Sequence, residues 1–218
     1  MRGGAKIGKG TFFYAPNHMI FDETAPYLIN IGKNVMISEN VTILTHGYEW
    51  SVLKGKYCEV LGNQAPVFIG NNVFIGLGAT ILKGVSIGDN VIIGAESVVT
   101  TNIPNNCVAA GIPAKVICTI DDYYDKKKGQ QLEEAFNIYC CYRNRFNRNP
   151  NEYVFREYFW LFTNNEDISE FTFVNSLQNN YEETIKKFKN HVPMFKCYDD
   201  FINYCDARYI KKSENKQN

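Results

Sequence analysis

The histidine best placed for chemistry in this chain is His46, in the run Thr45-His46-Gly47-Tyr48. It opens a stretch, residues 44–66, that is rich in polar and aromatic side chains and has no regular aliphatic spacing. An imidazole titrates close to physiological pH, so it can accept a proton from a reacting group and return it later. A histidine at the mouth of an irregular loop is therefore a candidate general base, provided that a rigid scaffold positions it.

Metal and disulfide chemistry are disfavoured by the sequence. The seven cysteines are an odd number, and no C-x-x-C pair occurs among them. The three histidines, His18, His46 and His191, do not have the spacing of zinc ligands. We therefore expect reduced thiols and no metal.

The scaffold is predicted by a six-residue repeat between Ile69 and Pro104. Its first position is a branched aliphatic residue, usually followed by glycine, and its fifth position is small or branched. This period fits neither an α-helix nor an amphipathic strand, and it is typical of a parallel β-helix in which each aliphatic side chain stacks on its equivalent one coil along. The stacked positions are predicted to be Ile69, Ile75, Ile81, Ile87, Ile93 and Val99.

The same register occurs upstream, from Ile7 to Ile43, and then breaks until the repeat resumes. We expect a loop insertion at about residues 44–66 to bulge out of the solenoid. Repeat proteins place such insertions on one face, which is often the binding face. The site is therefore predicted to lie beside His46.

Beyond residue 118 the composition changes, because glycine nearly disappears and apolar residues take a helical spacing. We predict a β-helix domain at residues 1–118 and a helical accessory region at 119–218. The predicted helices run from a cap at Asp121 or Asp122 to just before Pro150, from Asn151 to Thr163, from about Val174 to Asn190, and from Tyr198 to Ile210.

Charge and hydropathy narrow the range of partners. The 218 residues include 23 basic and 23 acidic side chains, so the formal net charge is zero and nothing indicates a nucleic-acid partner. No apolar stretch approaches the roughly 20 residues that span a bilayer, and the N-terminus lacks the apolar core of a cleavable leader. We expect a cytoplasmic protein with no membrane partner.

Three features together resemble the hexapeptide-repeat acyltransferases: the repeat itself, the break after Ile43 with a histidine at its mouth, and the closing run AGIPAKVI at residues 110–117. The resemblance covers about residues 7–118 and is strongest to the sugar O-acetyltransferases, which include galactoside, maltose, nodulation-factor and capsule acetyltransferases. It implies a left-handed parallel β-helix with a C-terminal α-helical extension. It also implies acetyl-CoA as the donor and a homotrimer with active sites between subunits.

His46 falls where this family carries its catalytic histidine. The resemblance implies that it removes the proton of an attacking alcohol and then returns it to the thiolate of coenzyme A. A base of this kind needs an acceptor on its second ring nitrogen to fix the tautomer. Glu49, Glu59 and a backbone carbonyl are the candidates for that acceptor.

For the acceptor substrate, residues 13–18 look like the family segment that supplies a binding asparagine, which points to Asn17, and Asp22 resembles an acceptor-binding aspartate. Tyr48 and Trp50 in the loop have two open interpretations. Their rings are suited to stacking on a sugar, and they are equally suited to anchoring the loop on a neighbouring subunit.

For the donor, aligning the repeats on the family indicates five positions that contact coenzyme A. Lys115 would meet the nucleotide phosphates by charge. The family often has a second basic residue near position 118, where this chain has Cys118, so phosphate contacts are expected to be weaker or to come from the lysines at 126–128. The five positions are Leu77, Ala95, Thr100, Thr101 and Lys115.

The leading hypothesis is an acetyl-CoA-dependent O-acetyltransferase acting on a carbohydrate hydroxyl, such as that of a surface-polysaccharide precursor. Xenobiotic acetyltransferases, which modify antibiotics, and amino-sugar N-acetyltransferases share the scaffold and stay open as alternatives. A β-helix that serves only as a scaffold is the non-enzymatic alternative. Metal-binding β-helices use several histidines, and only His18 and His46 lie inside the predicted solenoid.

Overall fold

Successive strands of this chain join three sheets in rotation. The computed structural model describes residues 3–163 and 181–214. Within them the strands are, in chain order, β1 (Lys6–Ile7), β2 (Phe12–Phe13), β3 (Ile20–Phe21), β4 (Ile29–Ile31), β5 (Met36–Ile37), β6 (Thr42–Ile43), β7 (Val67–Ile69), β8 (Val73–Ile75), β9 (Thr80–Ile81), β10 (Ser86–Ile87), β11 (Val91–Ile93), β12 (Val98–Val99), β13 (Cys107–Ala110) and β14 (Lys115–Thr119).

The first sheet has the order β1-β4-β7-β10, the second β2-β5-β8-β11-β13-β14, and the third β3-β6-β9-β12. Every neighbouring pair is parallel except β13 and β14, which pair antiparallel at the end of the second sheet. Three consecutive strands therefore make one turn, which confirms the solenoid of parallel strands that the six-residue repeat predicts.

The interior of this solenoid is the column of aliphatic residues that the repeat predicts. All six first-position residues, from Ile69 to Val99, are at most 4% exposed and belong to one hydrophobic core. The fifth-position residues from Val73 to Ile103 are equally buried. Because burying one such side chain contributes about 1.5–3 kcal/mol, the stacked columns supply most of the stability of the coils.

Asparagines stack at the first corner, which we define as the place where the chain leaves the first sheet. Asn34, Asn72, Asn90 and Asn106 all have a left-handed backbone, with φ between 54° and 60°. The amide of Asn72 donates to Asn90 at 2.9 Å, and that of Asn90 donates to Asn106 at 2.8 Å. Asparagine tolerates this conformation better than other residues with a Cβ, so each coil turns sharply while its side chain ties it to the next coil.

We expect Asn90→Ala to lower the free energy of unfolding by about 2 kcal/mol, because it removes two hydrogen bonds and puts at positive φ a residue that tolerates this conformation less well than asparagine. Asn90→Gly removes the same hydrogen bonds without the backbone cost, so its loss should be about 1 kcal/mol. Denaturant unfolding of both variants measures the difference. Equal losses would contradict a backbone contribution at this corner.

The third corner, where the chain leaves the third sheet, carries the insertion at residues 44–66. The backbone amide of Gly47 donates to Asn63 at 3.0 Å and that of Ala65 donates to Thr45 at 2.9 Å, so the base of the insertion is closed. The sequence predicts only a loop here, but the structure contains a helix, α1 (Trp50–Tyr57). None of its residues is buried, and a helix that buries no face leaves no apolar period in the sequence.

Helix α2 (Ile120–Phe146) confirms the first predicted helix, with a different cap. The backbone amide of Asp122 donates to the hydroxyl of Thr119 at 3.1 Å, and that hydroxyl donates to the Asp122 carboxylate at 2.6 Å. Thr119 is therefore the capping residue in place of Asp121 or Asp122. The strands end at Thr119 and the helix begins at the next residue.

The chain forms two compact units, Met1–Asp125 and Lys126–Asn218. In the second unit, the single helix predicted for Asn151 to Thr163 is wrong, because this segment forms two short 3₁₀ helices, Glu152–Phe155 and Phe159–Leu161. Its buried side chains are at positions 155, 159, 161 and 162, and no single face of an α-helix contains all four.

Among the described residues, the remaining α-helices are α3 (Tyr181–Lys189) and α4 (Tyr198–Glu214). The helix predicted from Tyr198 is confirmed, and it extends beyond Ile210. The first part of the helix predicted from Val174 lies outside the described residues. Aromatic side chains from α2, the 3₁₀ helices and α4 form the core of this unit, with Phe155 and Phe201 packed edge to face at 4.9 Å. Among the described helices, none is long and apolar enough to cross a membrane.

Candidate active site

Two polar residues meet at the third corner, on adjacent coils. Asp22 follows β3 and His46 follows β6, and these two strands pair in parallel. The backbone amide of Asp22 donates to the carbonyl of Ile43 at 3.1 Å, which continues the ladder past the ends of the strands. The register of the third sheet thus brings the aspartate and the histidine together across 24 residues of sequence.

The Asp22 carboxylate is almost fully buried and accepts hydrogen bonds at both oxygens. Its Oδ2 accepts from His46 Nδ1 and from the backbone amide and hydroxyl of Thr45, at 3.0 and 2.5 Å. Its Oδ1 accepts from the backbone amide and hydroxyl of Thr24, at 3.0 and 2.6 Å. Donors surround the carboxylate on all sides, as the ionised form requires.

Burial by itself raises the pKa of Asp22, but the hydrogen bonds from Thr24 and Thr45 outweigh it and hold the pKa well below its usual range. The carboxylate therefore stays ionised at neutral pH. An anion beside Nδ1 keeps the proton on that nitrogen, which leaves Nε2 of His46 with a free lone pair. Within the described residues Nε2 has no hydrogen-bond partner, and the side chain is 20% exposed. The arrangement can accept a proton from a bound hydroxyl.

The orienting group of His46 is therefore Asp22, and among the described hydrogen bonds and ion pairs neither Glu49 nor Glu59 is a partner of the imidazole. The Glu49 carboxylate instead lies over Gly47, where a Cβ would approach it to 2.2 Å. The family resemblance predicts that Asp22 binds the acceptor, and in this structure its two oxygens accept hydrogen bonds from five donors. We infer that Asp22 positions His46.

The predicted aromatic residues lie next to the histidine. The ring of Tyr48 is 4.6 Å from the imidazole, centroid to centroid, and 6.2 Å from Trp50, the first residue of α1. Tyr48 is 63% exposed, so a large part of this residue is accessible next to His46. Both interpretations of these aromatic residues, sugar stacking and subunit anchoring, agree with this geometry.

The other predicted residues fall at two different corners of the solenoid. Thr100 and Thr101 follow β12 at the third corner and are exposed. Leu77 and Ala95 are stacked at the second corner, where the chain leaves the second sheet, and a Cβ on Gly76 would lie 2.5 Å from the Ala95 nitrogen. Asn17 follows β2 at this same corner, and Lys115, exposed at the start of β14, pairs with Ala110 of the same sheet. One chain therefore does not gather the predicted donor residues at a single corner.

Thr24 and Thr45 are functional candidates that the sequence interpretation did not include. Both bind the carboxylate that holds His46, and Thr45 is fully buried. A signal for them exists, because Asp22 and Thr24 form an Asp-x-Thr turn and Thr45 directly precedes the histidine.

Comparison with known proteins identifies the family. The family model described as bacterial transferase hexapeptide (six repeats) matches residues 66–101. Galactoside O-acetyltransferase of Escherichia coli K12 is 44% identical over 128 residues, which are 56% of this chain and 61% of that protein. Protein CapG of Staphylococcus aureus is 38% identical over 154 residues, and the match covers 66% of this chain and 88% of CapG.

This chain belongs to the hexapeptide-repeat transferases. The match to CapG extends over most of that relative, and the six-repeat segment coincides with the regular coils from β7 to β12. The family resemblance seen in the sequence is thereby confirmed, including its link to sugar O-acetyltransferases. The chain spans less than two thirds of the E. coli relative, however, so its own activity and substrates belong to the proposal below.

A solved structure in the same family, a maltose O-acetyltransferase from Clostridium difficile 630, is 42% identical. The alignment covers 52% of this chain and 57% of that one, with a TM-score of 0.45.

Proposed function

We propose that this chain is an acetyl-CoA-dependent O-acetyltransferase that acts on a carbohydrate hydroxyl, with His46 as the general base. The hydrogen bond between Asp22 and His46 is the observation that carries the proposal, because it leaves Nε2 ready to accept a proton. Relatives named galactoside O-acetyltransferase support a sugar as the acceptor. We further propose that the coils wind left-handed, as the family resemblance implies.

In the proposed reaction, Nε2 of His46 takes the proton of the acceptor hydroxyl as its oxygen attacks the thioester carbonyl carbon. A tetrahedral intermediate forms and collapses as the carbon–sulfur bond breaks, and the imidazolium returns the proton to the departing sulfur. The products are the acetyl ester and free coenzyme A. Asp22 stabilises the imidazolium during these steps and keeps the ring in one orientation.

We propose a homotrimer in which the third corner of one copy faces the second corner of the next. This arrangement would join His46, Thr100 and Thr101 with Leu77 and Ala95, which one chain keeps apart. The exposed insertion supports the proposal that a neighbouring copy packs against it, because α1 has no buried residue and its flanks expose further apolar side chains. The apolar side chains exposed there are Tyr48, Val52, Leu53, Tyr57, Val60 and Leu61.

An apolar stripe on the outer face of the second sheet also supports association. Inward and outward side chains alternate along a strand, and the outward partners in register on six strands are all apolar. Met36 and Val108 are less than 9% exposed although neither belongs to the interior core. The stripe consists of Phe12, Met36, Phe74, Ile92, Val108 and Cys118.

We expect Phe74→Lys, a charge placed in the middle of this stripe, to convert the trimer to smaller species, because an unpaired cation is costly in an apolar interface. Phe68→Lys is the matched control: Phe68 faces outward from the first sheet, between Asn30 and Ser86, and is 47% exposed. Light scattering after size-exclusion chromatography measures the mass. A trimer that survives Phe74→Lys but not Phe68→Lys would place the interface elsewhere.

If Lys115 contacts the nucleotide phosphates, Lys115→Ala should lower the affinity for acetyl-CoA by about tenfold, since a charge-assisted contact contributes about 1.5–3 kcal/mol. The affinity for dephospho-coenzyme A should fall by less. Lys33→Ala, an exposed lysine at the first corner, should leave both affinities unchanged. Calorimetric titration measures both ligands. Equal weakening of the two ligands by Lys115→Ala would remove Lys115 from the phosphate site.

The proposed function as a whole is tested by titrating the full chain with acetyl-CoA and then measuring free-thiol release with a panel of sugars, amino sugars and antibiotics. Thiol release with a sugar, together with an ester product by mass spectrometry, is the expected result. Release only with an amino sugar and an amide product would replace O-transfer by N-transfer. No binding at millimolar acetyl-CoA would contradict the proposed transferase and favour the alternative that the solenoid is a non-enzymatic scaffold.

A further inference from the structure

An open groove lies in the helical unit, between the last turns of α2 and the 3₁₀ helix Glu152–Phe155. Its volume is about 830 Å³, within the range of about 300–1,000 Å³ that is usual for small-molecule sites. None of the residues assigned to the proposed reaction lines it. Its lining includes Asn137, Tyr142, Asn144, Arg145 and Phe146.

Two aromatic rings form an apolar platform in this groove. Tyr142 and Phe146 are one turn apart on α2, and their ring centroids are 4.6 Å apart with an interplanar angle of 48°. Phe146 is 51% exposed, and the hydrophobic core of the unit contains neither ring. Such rings suit the apolar face of a pyranose, which presents C–H bonds on one side and hydroxyls at its edge.

The polar atoms of the groove are mainly donors. Asn144 Oδ1 accepts from the Tyr209 hydroxyl at 2.5 Å, so the amide nitrogen of Asn144 is left to donate to a ligand. Asn137 adds a second amide, and Arg145 adds a guanidinium that forms no ion pair in the part of the chain that the structure describes. Among the described residues that line the groove there is no aspartate or glutamate. The charge of this described lining therefore complements a ligand with many acceptor oxygens and one negative charge.

We propose that this groove binds a carboxylate-bearing saccharide, such as a uronic acid residue within a longer glycan. The sugar ring packs on Tyr142 and Phe146, and its carboxylate pairs with the Arg145 guanidinium, whose fork matches a carboxylate in a bidentate geometry. A single cation suits one carboxylate, whereas a nucleic acid requires a row of cations along its backbone. The choice of a saccharide rests on the proposed function, in which the acceptor is a carbohydrate.

The test is calorimetric titration of the full chain, without acetyl-CoA, against tetragalacturonic acid, a hyaluronan tetrasaccharide and the methyl ester of each. Esterification removes the charge and keeps the ring. We therefore expect an acidic tetrasaccharide to bind, and its ester to bind with an affinity lower by about tenfold or more. Arg145→Gln should reduce the affinity for the acid to that of the ester. Phe146→Ala should weaken both, and Phe146→Trp should restore binding.

Arg148→Gln is the matched control, because Arg148 is exposed just beyond the end of α2 and does not line the groove. It should bind the acid as the unmodified chain does. Since Arg145 and Phe146 are both exposed, melting temperatures of their variants should stay unchanged.

The proposal is overturned if neither acidic tetrasaccharide binds at millimolar concentration, if acid and ester bind equally, or if Arg145→Gln has no more effect than Arg148→Gln. Its failure is distinct from failure of the proposed function. Saccharide binding with no acetyl transfer to any sugar would support the saccharide site in the groove and contradict the proposed acetyltransferase function. Acetyl transfer to a sugar, with no saccharide binding that depends on Arg145, would support the acetyltransferase function and contradict the saccharide site.

Discussion

Replacing His46 with alanine is expected to reduce turnover by about 100-fold or more while leaving acetyl-CoA affinity nearly unchanged. A positioned general base contributes roughly 10²–10⁴ to the rate, and the alanine variant has no group beside Asp22 that can take the proton of an alcohol. Steady-state thiol release gives the turnover, and calorimetry gives the donor affinity.

The matched control for His46→Ala is His191→Gln in the helical unit. His191 contacts the carbonyl of Trp160 through Nε2 at 2.7 Å, and a glutamine amide can donate to the same oxygen. We expect its turnover to equal that of the unmodified chain. Loss of acetyl-CoA binding in His46→Ala, or an unchanged rate, would show that the histidine supports the loop rather than the reaction.

The second large effect is expected for Asp22→Asn, which should lower turnover by about 100-fold with little change in donor affinity. The asparagine is almost the same shape, but it carries no negative charge to stabilise the imidazolium and no longer fixes the proton on Nδ1. Because Asp22 acts only through His46, the double variant with His46→Ala should be no slower than His46→Ala alone.

Asp89→Asn is the control for the loss of a carboxylate elsewhere on the solenoid. Asp89 accepts from the backbone amide of Asn71 at 2.6 Å at the first corner, and an asparagine oxygen can accept the same bond. Its turnover should not change. A rate loss in Asp22→Asn that is additive with that of His46→Ala would contradict the positioning role.

Asp22 also makes acid stability informative. Its pKa is lowered in the folded state, so its stabilising contribution is complete above the unfolded pKa of about 3.9 and is lost as the pH falls toward the folded pKa. The unmodified chain should therefore lose more stability than Asp22→Asn between pH 4 and lower values, on the order of the linkage expected for one carboxylate. Denaturant unfolding at several pH values measures this difference.

Much of the solenoid follows from the sequence because a six-residue period with inward aliphatic residues has one common structural solution. The buried column from Ile69 to Val99 and the position of His46 beside the interruption were both predictable. The helices α2 and α4 were also predictable, because their apolar residues have a helical spacing. Where burial did not follow one face, as in α1 and at Asn151–Thr163, the pattern did not predict the structure.

The amino-acid sequence by itself determined the coil, its repeat and the location of a histidine at the broken corner, since each of these depends on local spacing. Only the tertiary structure decided the partner of that histidine. Asp22 and His46 are separated by one coil of irregular length, with a 3₁₀ turn at Pro26–Leu28 inside it, and pairing of β3 with β6 sets their register. Contacts across such a coil depend on how many residues it contains, and local patterns do not record that number.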